Sequence, residues 1–242
     1  MSDTSIADRL AHIRDSIDRA AVEVGSSGNV TLVAVSKTVS AGQVFEAYQA
    51  GQRVFGENRV QEAAAKIESL TATMPHADWH LIGHLQTNKV RSAAGIFTLI
   101  ESVDSLRLAN HLERVSIQTE RGLPVLLEVN VAGEDTKGGF APEDMRDVVG
   151  ELLQLQHLQL RGLMTVAPVA ERGDDVRWVF RRLRELAADL RLLYDLPHFD
   201  QLSMGMSNDF EAAVKEGATM IRIGRAIFGE RVAPAVQGKR AQ

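Results

Sequence analysis

Eight short runs rich in β-branched and other apolar residues alternate along this chain with longer segments of helical periodicity, and that alternation limits its fold more than any other feature. The runs are VTLVAVS (30–36), RVFG (53–56), WHLIG (79–83), FTLIES (97–102), PVLLEVNV (124–131), LQLRGLMTV (158–166), FDQLSM (199–204) and TMIRIG (219–224). Helical patterning fills 40–50, 57–70, 104–120, 142–155, 174–193 and 207–217, with a short stretch near 86–94. Strand and helix in strict succession imply a parallel sheet, because parallel neighbours need a crossover connection and a helix is the usual one. Eight such units are enough to close the sheet, so 242 residues predict an α/β protein built as a single (β/α)8 TIM barrel. An open doubly wound sheet ranks second. It usually carries a Gly-rich dinucleotide turn after its first strand, where this chain has VSKTVS.

A further helix over about 4–24, within an N-terminal segment 1–25, precedes the first strand. Its Ile6, Leu10, Ile13 and Ile17 recur at spacings of three and four, which gives one apolar face to pack on the barrel. No linker, solenoid repeat or compositional break marks a second domain, so 1–242 reads as one barrel domain. The chain has no cysteine, which excludes disulfides, thiolate nucleophiles and cysteine-ligated zinc or iron–sulfur sites. A net charge of -5, with basic and acidic residues interleaved, argues against nucleic acid as a partner. No apolar run approaches the roughly 20 residues of a membrane span, and MSDTSIADRLAHIRDS lacks a signal-peptide core, so a cytoplasmic location without membrane contact is expected.

In such a barrel the chemistry sits at the C-terminal ends of the strands and in the loops that follow. Those positions hold Ser36, Lys37 and Thr38; Glu57 and Asn58; His84 and Gln86; Glu101 and Ser102; Asn130, Lys137 and Gly138; Met164 and Thr165; Ser203 to Ser207; and Arg222 to Arg225. Lys37 follows a nearly continuous apolar run that reads as buried on both faces, which puts an amine at the barrel mouth. Desolvation favours the neutral amine, the form that attacks an aldehyde. The alternative is a lysine paired with a carboxylate such as Glu57 or Glu101, and Lys37 alone does not decide between them.

The segment QLSMGMSNDFEAAVKEGATMIRIGRAIFG adds an anion site after the last two strands, where barrels commonly keep one. Gly205 allows a sharp turn ahead of a helix that Ser207 can cap, with Asp209 in its first turn. Gly224 allows close approach of the chain to a phosphate, with a helix N-terminus following. Either glycine alone is an ordinary turn residue; their pairing is what suggests phosphate. His80 and His84 lie four apart across a strand end and a turn, so they do not share a face as metal ligands. The arginine-rich run 177–195 reads as an amphipathic helix, with Trp178, Leu183, Leu186, Leu190 and Leu193 on its apolar side and a solvated basic face. Met164, Met204 and Met206 suit either a ligand pocket or core filling.

With these residues in view, the chain resembles the pyridoxal phosphate homeostasis protein family, whose barrel is similar to the N-terminal domain of alanine racemase. The likeness runs from about residue 30 to 230 through AVSKT (34–38), FGENRVQE (55–62), WHLIGHLQTNK (79–89), LEVNVAGEDTKGG (127–139), RGLMTV (161–166), the segment 199–224 and AIFGER (226–231). It implies pyridoxal 5'-phosphate (PLP) as cofactor, held as a Schiff base on Lys37. It also implies Ser203 with the backbone of Gly205, Gly224 and Arg225 around the phosphate, Arg222 facing the pyridine nitrogen, and Asn58, His84 and Met164 lining the ring pocket. Arg225 stands where the family pattern has a small hydroxyl residue.

An arginine at the ring nitrogen cannot donate a full proton, so the cofactor would be a weak electron sink. Tyr48 and Tyr194, the only tyrosines, fall in helical segments rather than at strand ends. These features favour a PLP-binding protein that buffers or delivers its ligand, and not an enzyme, over an amino-acid racemase or a sugar-phosphate enzyme. PLP-dependent apoenzymes would be the acceptors, and a monomer is expected.

Overall fold

The computed structural model describes residues 4–25 and 30–229; Glu230 and Arg231, which end the AIFGER motif, and the first three residues lie outside them. The strands are β1 (Thr31–Val35), β2 (Val54–Glu57), β3 (Asp78–Leu81), β4 (Leu99–Val103), β5 (Leu123–Glu128), β6 (Leu158–Met164), β7 (Gln201–Ser203) and β8 (Met220–Ile223). All pair in parallel and in sequence order, and β8 returns to β1, so the sheet closes into a TIM barrel. The helices are α1 (Ile6–Glu23), α2 (Ala41–Gln49), α3 (Val60–Leu70), α4 (Val90–Ile96), α5 (Leu106–Thr119), α6 (Met145–Leu152), α7 (Arg177–Leu193), α8 (Phe210–Lys215) and α9 (Arg225–Phe228). Each expected strand and helix is present, and the differences lie at the ends.

Helix α3 starts at Val60 rather than 57, because β2 keeps its ladder through Glu57, whose carbonyl accepts the Ile82 N–H at 2.9 Å. Asp209, not Ser207, is the N-cap of α8, and its carboxylate turns back to the Met206 N–H at 2.5 Å. In α7 the buried residues are Val179, Phe180, Leu183, Ala187 and Leu190, whereas Trp178 and Leu193 are exposed. The expected apolar side was therefore rotated by part of a turn. The basic face is not merely solvated, since Arg177, Arg181 and Arg184 converge on the buried Glu216. Three cations on one carboxylate outweigh its burial, which alone would raise its pKa, and hold Glu216 below the usual carboxylate range. At the N-terminus a capping box of Ser5 and Asp8 starts α1, and Ile6, Leu10, Ile13 and Ile17 are all buried against α2, α8 and α9.

Two apolar cores follow from the alternation of side chains along a strand. The larger lies between the sheet and its helices and takes in Leu32, Ala34, Phe55, Leu81, Ile100, Leu127, Leu163, Ile221 and Ile223. The smaller is the barrel interior, where Val33, Leu99, Leu126, Met164 and Met220 form one layer. Everything with the parity of that inner layer, one step nearer the C-terminal ends, faces the barrel mouth.

Candidate functional site

Above the inner apolar layer the interior turns polar, and hydrogen bonds tie it across five strands. Arg222 Nη1 donates to Ser203 Oγ at 2.6 Å, while Nη2 donates to the Thr165 carbonyl at 2.8 Å. Ser203 donates its own proton to Glu101 Oε2 at 2.5 Å. The other oxygen of Glu101 lies 2.7 Å from His80 Nδ1 and accepts its proton. Arg222, Ser203, Glu101 and His80 are all buried, so each polar atom left without a partner here would carry its full desolvation cost.

Burial pushes the Arg222 guanidinium below its ordinary pKa, and Glu101, Glu128 and Asp209 pull it back. The ordinary value is so high that the group keeps its charge. For Glu101 burial acts in the opposite sense to its partners: it would raise the pKa, but His80, Arg222 and Ser203 together hold the carboxyl below the usual range. Burial, followed by the nearby charge of Asp104, raises Glu128. A carboxyl whose pKa is depressed in the fold contributes stability above its unfolded value and loses it as pH falls through the folded value. The acid limb of the stability curve should therefore be steeper in the wild type than in Glu101→Gln below about pH 5. Equal slopes in thermal melts across that range would show that Glu101 is not a source of the acid sensitivity.

Lys37 is half-buried and is the second residue after β1; between them Ser36 still pairs its N–H with the Gly56 carbonyl at 3.0 Å. The next residue, Thr38, has φ 64°, a left-handed conformation that a β-branched side chain adopts at a cost of about 1–2 kcal/mol. Strand β1 pairs with β8 so that Val33 is level with Arg222 and Ala34 with Ile223. The turn after β8 passes so near β1 that a Cβ on Gly224 would meet the Val35 carbonyl oxygen at 3.2 Å. Gly205, at φ 94°, accepts the Arg222 N–H at 3.0 Å. Lys37, Gly205, Arg222 and Gly224 thus come from three neighbouring strand ends. Arg225 opens α9 and is exposed.

The remaining expected residues are spread more widely. Asn58 is half-buried after β2, with Oδ1 buried and without a hydrogen-bond partner. His84 stands at the rim, its side chain 70% exposed and Nδ1 2.8 Å from Asp104 Oδ2. Met164 belongs to the apolar layer beneath the mouth, so it forms the floor rather than a wall. Ser203 has its one proton committed to Glu101 and a lone pair to Arg222, and a phosphate oxygen needs a donor. Its hydroxyl would have to leave Glu101 to supply one.

Glu57 accepts hydrogen bonds from Ser36 and Lys66, and Glu101 accepts them from His80 and Ser203. The sequence reading did not foresee His80 and Glu128 as part of the site. Inward parity, counted from Leu99 in β4 and Leu126 in β5, points to Glu101 and Glu128, and a charged residue inside a strand of this kind must find a partner.

The chain matches the family model described as alanine racemase, N-terminal domain, over residues 9–232. A pyridoxal phosphate homeostasis protein of Pseudomonas aeruginosa is 47% identical over 233 residues, covering 94% of this chain and 96% of the relative. One of Aquifex aeolicus is 44% identical over 227 residues, covering 93% and 97%. The structure of PipY from Synechococcus elongatus with PLP bound is similar at a TM-score of 0.82 and 42% identity, covering 93% of this chain and all of that one. Alanine racemase of Clostridium difficile, at 15% identity and a TM-score of 0.70, shares the barrel fold. With its barrel, the order of its motifs and these identities in agreement, the chain belongs to the pyridoxal phosphate homeostasis protein family.

Proposed function

We propose that this protein binds PLP at the C-terminal mouth of its barrel, anchors it on Lys37, and buffers or delivers it to PLP-dependent apoenzymes rather than using it for turnover. The observation that carries this reading is the pairing of β1 with β8, which brings a half-buried lysine and a buried charged guanidinium to adjacent strands at one barrel mouth. PLP brings an aldehyde with which a lysine amine condenses, releasing water, together with a ring nitrogen and a phosphate to be held. The residues present fit that group. The buried Asn58 Oδ1 is an acceptor in want of a donor, and a side chain at Gly224 would crowd the Val35 carbonyl of β1.

In this reading Arg222 holds the ring nitrogen with an N–H that it keeps, so the ring is not driven toward carbanion chemistry. The backbone of Gly205, Gly224 and Arg225 takes the phosphate, with Ser203 beneath them as the link that aims Arg222. Asn58 and His84 flank the ring, and Met164 lies under it. A racemase would need a second base at the mouth. Tyr48 of α2, however, packs its ring under the Arg53 guanidinium, and Tyr194, at the end of α7, donates its hydroxyl to the Arg146 carbonyl. Among the described residues no helix is long and apolar enough to cross a membrane. A monomer is the form proposed.

The test is reduction of the PLP-loaded protein with borohydride and mass mapping of the product, followed by an assay for turnover of D- and L-amino acids. A pyridoxyl mass on Lys37 without turnover is the expected result. No shift of the PLP absorbance to that of an imine, no pyridoxyl mass on the protein, or a pyridoxyl mass elsewhere would overturn the assignment. Turnover abolished by Lys37→Ala would replace the carrier reading with an enzymatic one.

A further inference from the structure

Next to Lys37 in the chain, between the sheet and α3, lies a buried ion pair that the proposed ligand site does not use. Lys66 of α3 donates from Nζ to Glu57 Oε1 at 2.6 Å and to the Ser36 carbonyl oxygen, also at 2.6 Å. Ser36 Oγ donates to the same Glu57 oxygen at 2.7 Å. Glu57 is fully buried, and only 11% of the Lys66 side chain is exposed. The second oxygen of Glu57 is buried without a hydrogen-bond partner. A buried pair with an unsatisfied oxygen is poor evidence of stabilisation, because apolar residues of similar volume often serve as well. What it does supply is direction.

The Ser36 carbonyl belongs to the peptide bond that leads into Lys37, and it accepts the Val39 N–H at 3.0 Å as well as Lys66. Two donors therefore fix the oxygen that opens the turn, while Thr38, at φ 64°, fixes the next step of the backbone. Lys37 leaves the strand between these two constraints.

We propose that Lys66 and Glu57 are positioning residues for Lys37: through the Ser36 carbonyl they set the direction in which its side chain leaves β1, without touching the ligand. This rests on Lys37 being the covalent anchor. A small angular error at the backbone is magnified along a lysine side chain, and misplacement of a reacting group by about 1 Å can cost on the order of a hundredfold in rate.

The experiment compares the wild type with Lys66→Met, Lys66→Arg and Glu57→Gln. The first reading is the rate at which borohydride-trappable pyridoxyl accumulates on Lys37. The second is the Kd for 4'-deoxypyridoxine phosphate, which keeps ring and phosphate but has no aldehyde. Lys66→Met should slow accumulation about tenfold or more while leaving the Kd for the deoxy compound within about twofold, and Lys66→Arg should restore much of the rate. Glu57→Gln, which keeps the volume, is the second route if Lys66→Met does not fold, and the same split is expected. Accumulation at the wild-type rate in a folded variant would overturn the proposal, as would equal losses in both readings, the mark of a merely structural role. A wild type with no pyridoxyl on Lys37 would instead sink the anchor itself, and the clamp with it.

Discussion

Arg222→Met should destabilise the barrel by about 3–5 kcal/mol, because it removes one member of a buried charged network and leaves the others in place. Glu101, with no exposed surface, would keep His80 but lose one of the groups that help to offset its burial, and Ser203 would lose the N–H that its lone pair accepts. The Thr165 carbonyl would lose its donor as well. For a chain of this size the fall in Tm should be on the order of 10 °C. Adding Glu101→Gln to Arg222→Met should recover part of the loss, since a neutral buried pair lacks the uncompensated charge of the single variant. Urea unfolding of the two single variants and the double variant measures that coupling. A loss below about 1 kcal/mol for Arg222→Met would place Arg222 among ordinary surface-type charges and remove the argument that the fold is built to hold it.

Gly205→Ala should cost about 2–4 kcal/mol and weaken PLP binding by about tenfold or more, for two separable reasons. The position has φ 94°, where a Cβ is strained, and that Cβ would stand 2.6 Å from the Ala213 Cβ and 3.0 Å from the Phe210 Cα. Ala213 and Phe210 belong to α8, and Ala213 is fully buried, so the neighbour can yield only by moving the helix. The same turn carries the carbonyl that accepts the Arg222 N–H, so a shift is passed to the guanidinium. Gly133 provides the control: at φ 68° it has nothing within 4 Å of an added Cβ, so Gly133→Ala should cost only about 1–2 kcal/mol and leave PLP binding unchanged. Chemical denaturation together with a PLP titration separates the two variants. Matching losses in stability for Gly205→Ala and Gly133→Ala would show that crowding against α8 is unimportant.

Several of the differences between sequence and structure concern which side of an element faces inward. Periodicity located α7, yet its charged and apolar residues are mixed so evenly that Trp178 and Val179 compete for the core, and only packing against the sheet buries Val179. Likewise Ser207 and Asp209 are both good cap residues by type, but the helix begins after Asp209, whose carboxylate accepts the preceding Met206 N–H rather than an N–H of the helix.

Legible along the chain alone were the eight alternating units, the closed parallel barrel, the N-terminal helix with its four buried isoleucine and leucine residues, and the strand ends that carry Lys37, Gly205, Arg222 and Gly224. These follow from periods of 2 and 3.6 and from glycine at turns, all of which are local in the chain. Partnerships were left to the tertiary structure: His80 with Glu101, Ser203 between Glu101 and Arg222, and Lys66 with Glu57. Glu101 and Ser203 are 102 positions apart, and no local rule links them. Closing the barrel brings them into one desolvated layer, where a buried charge must take whatever donors the neighbouring strands present.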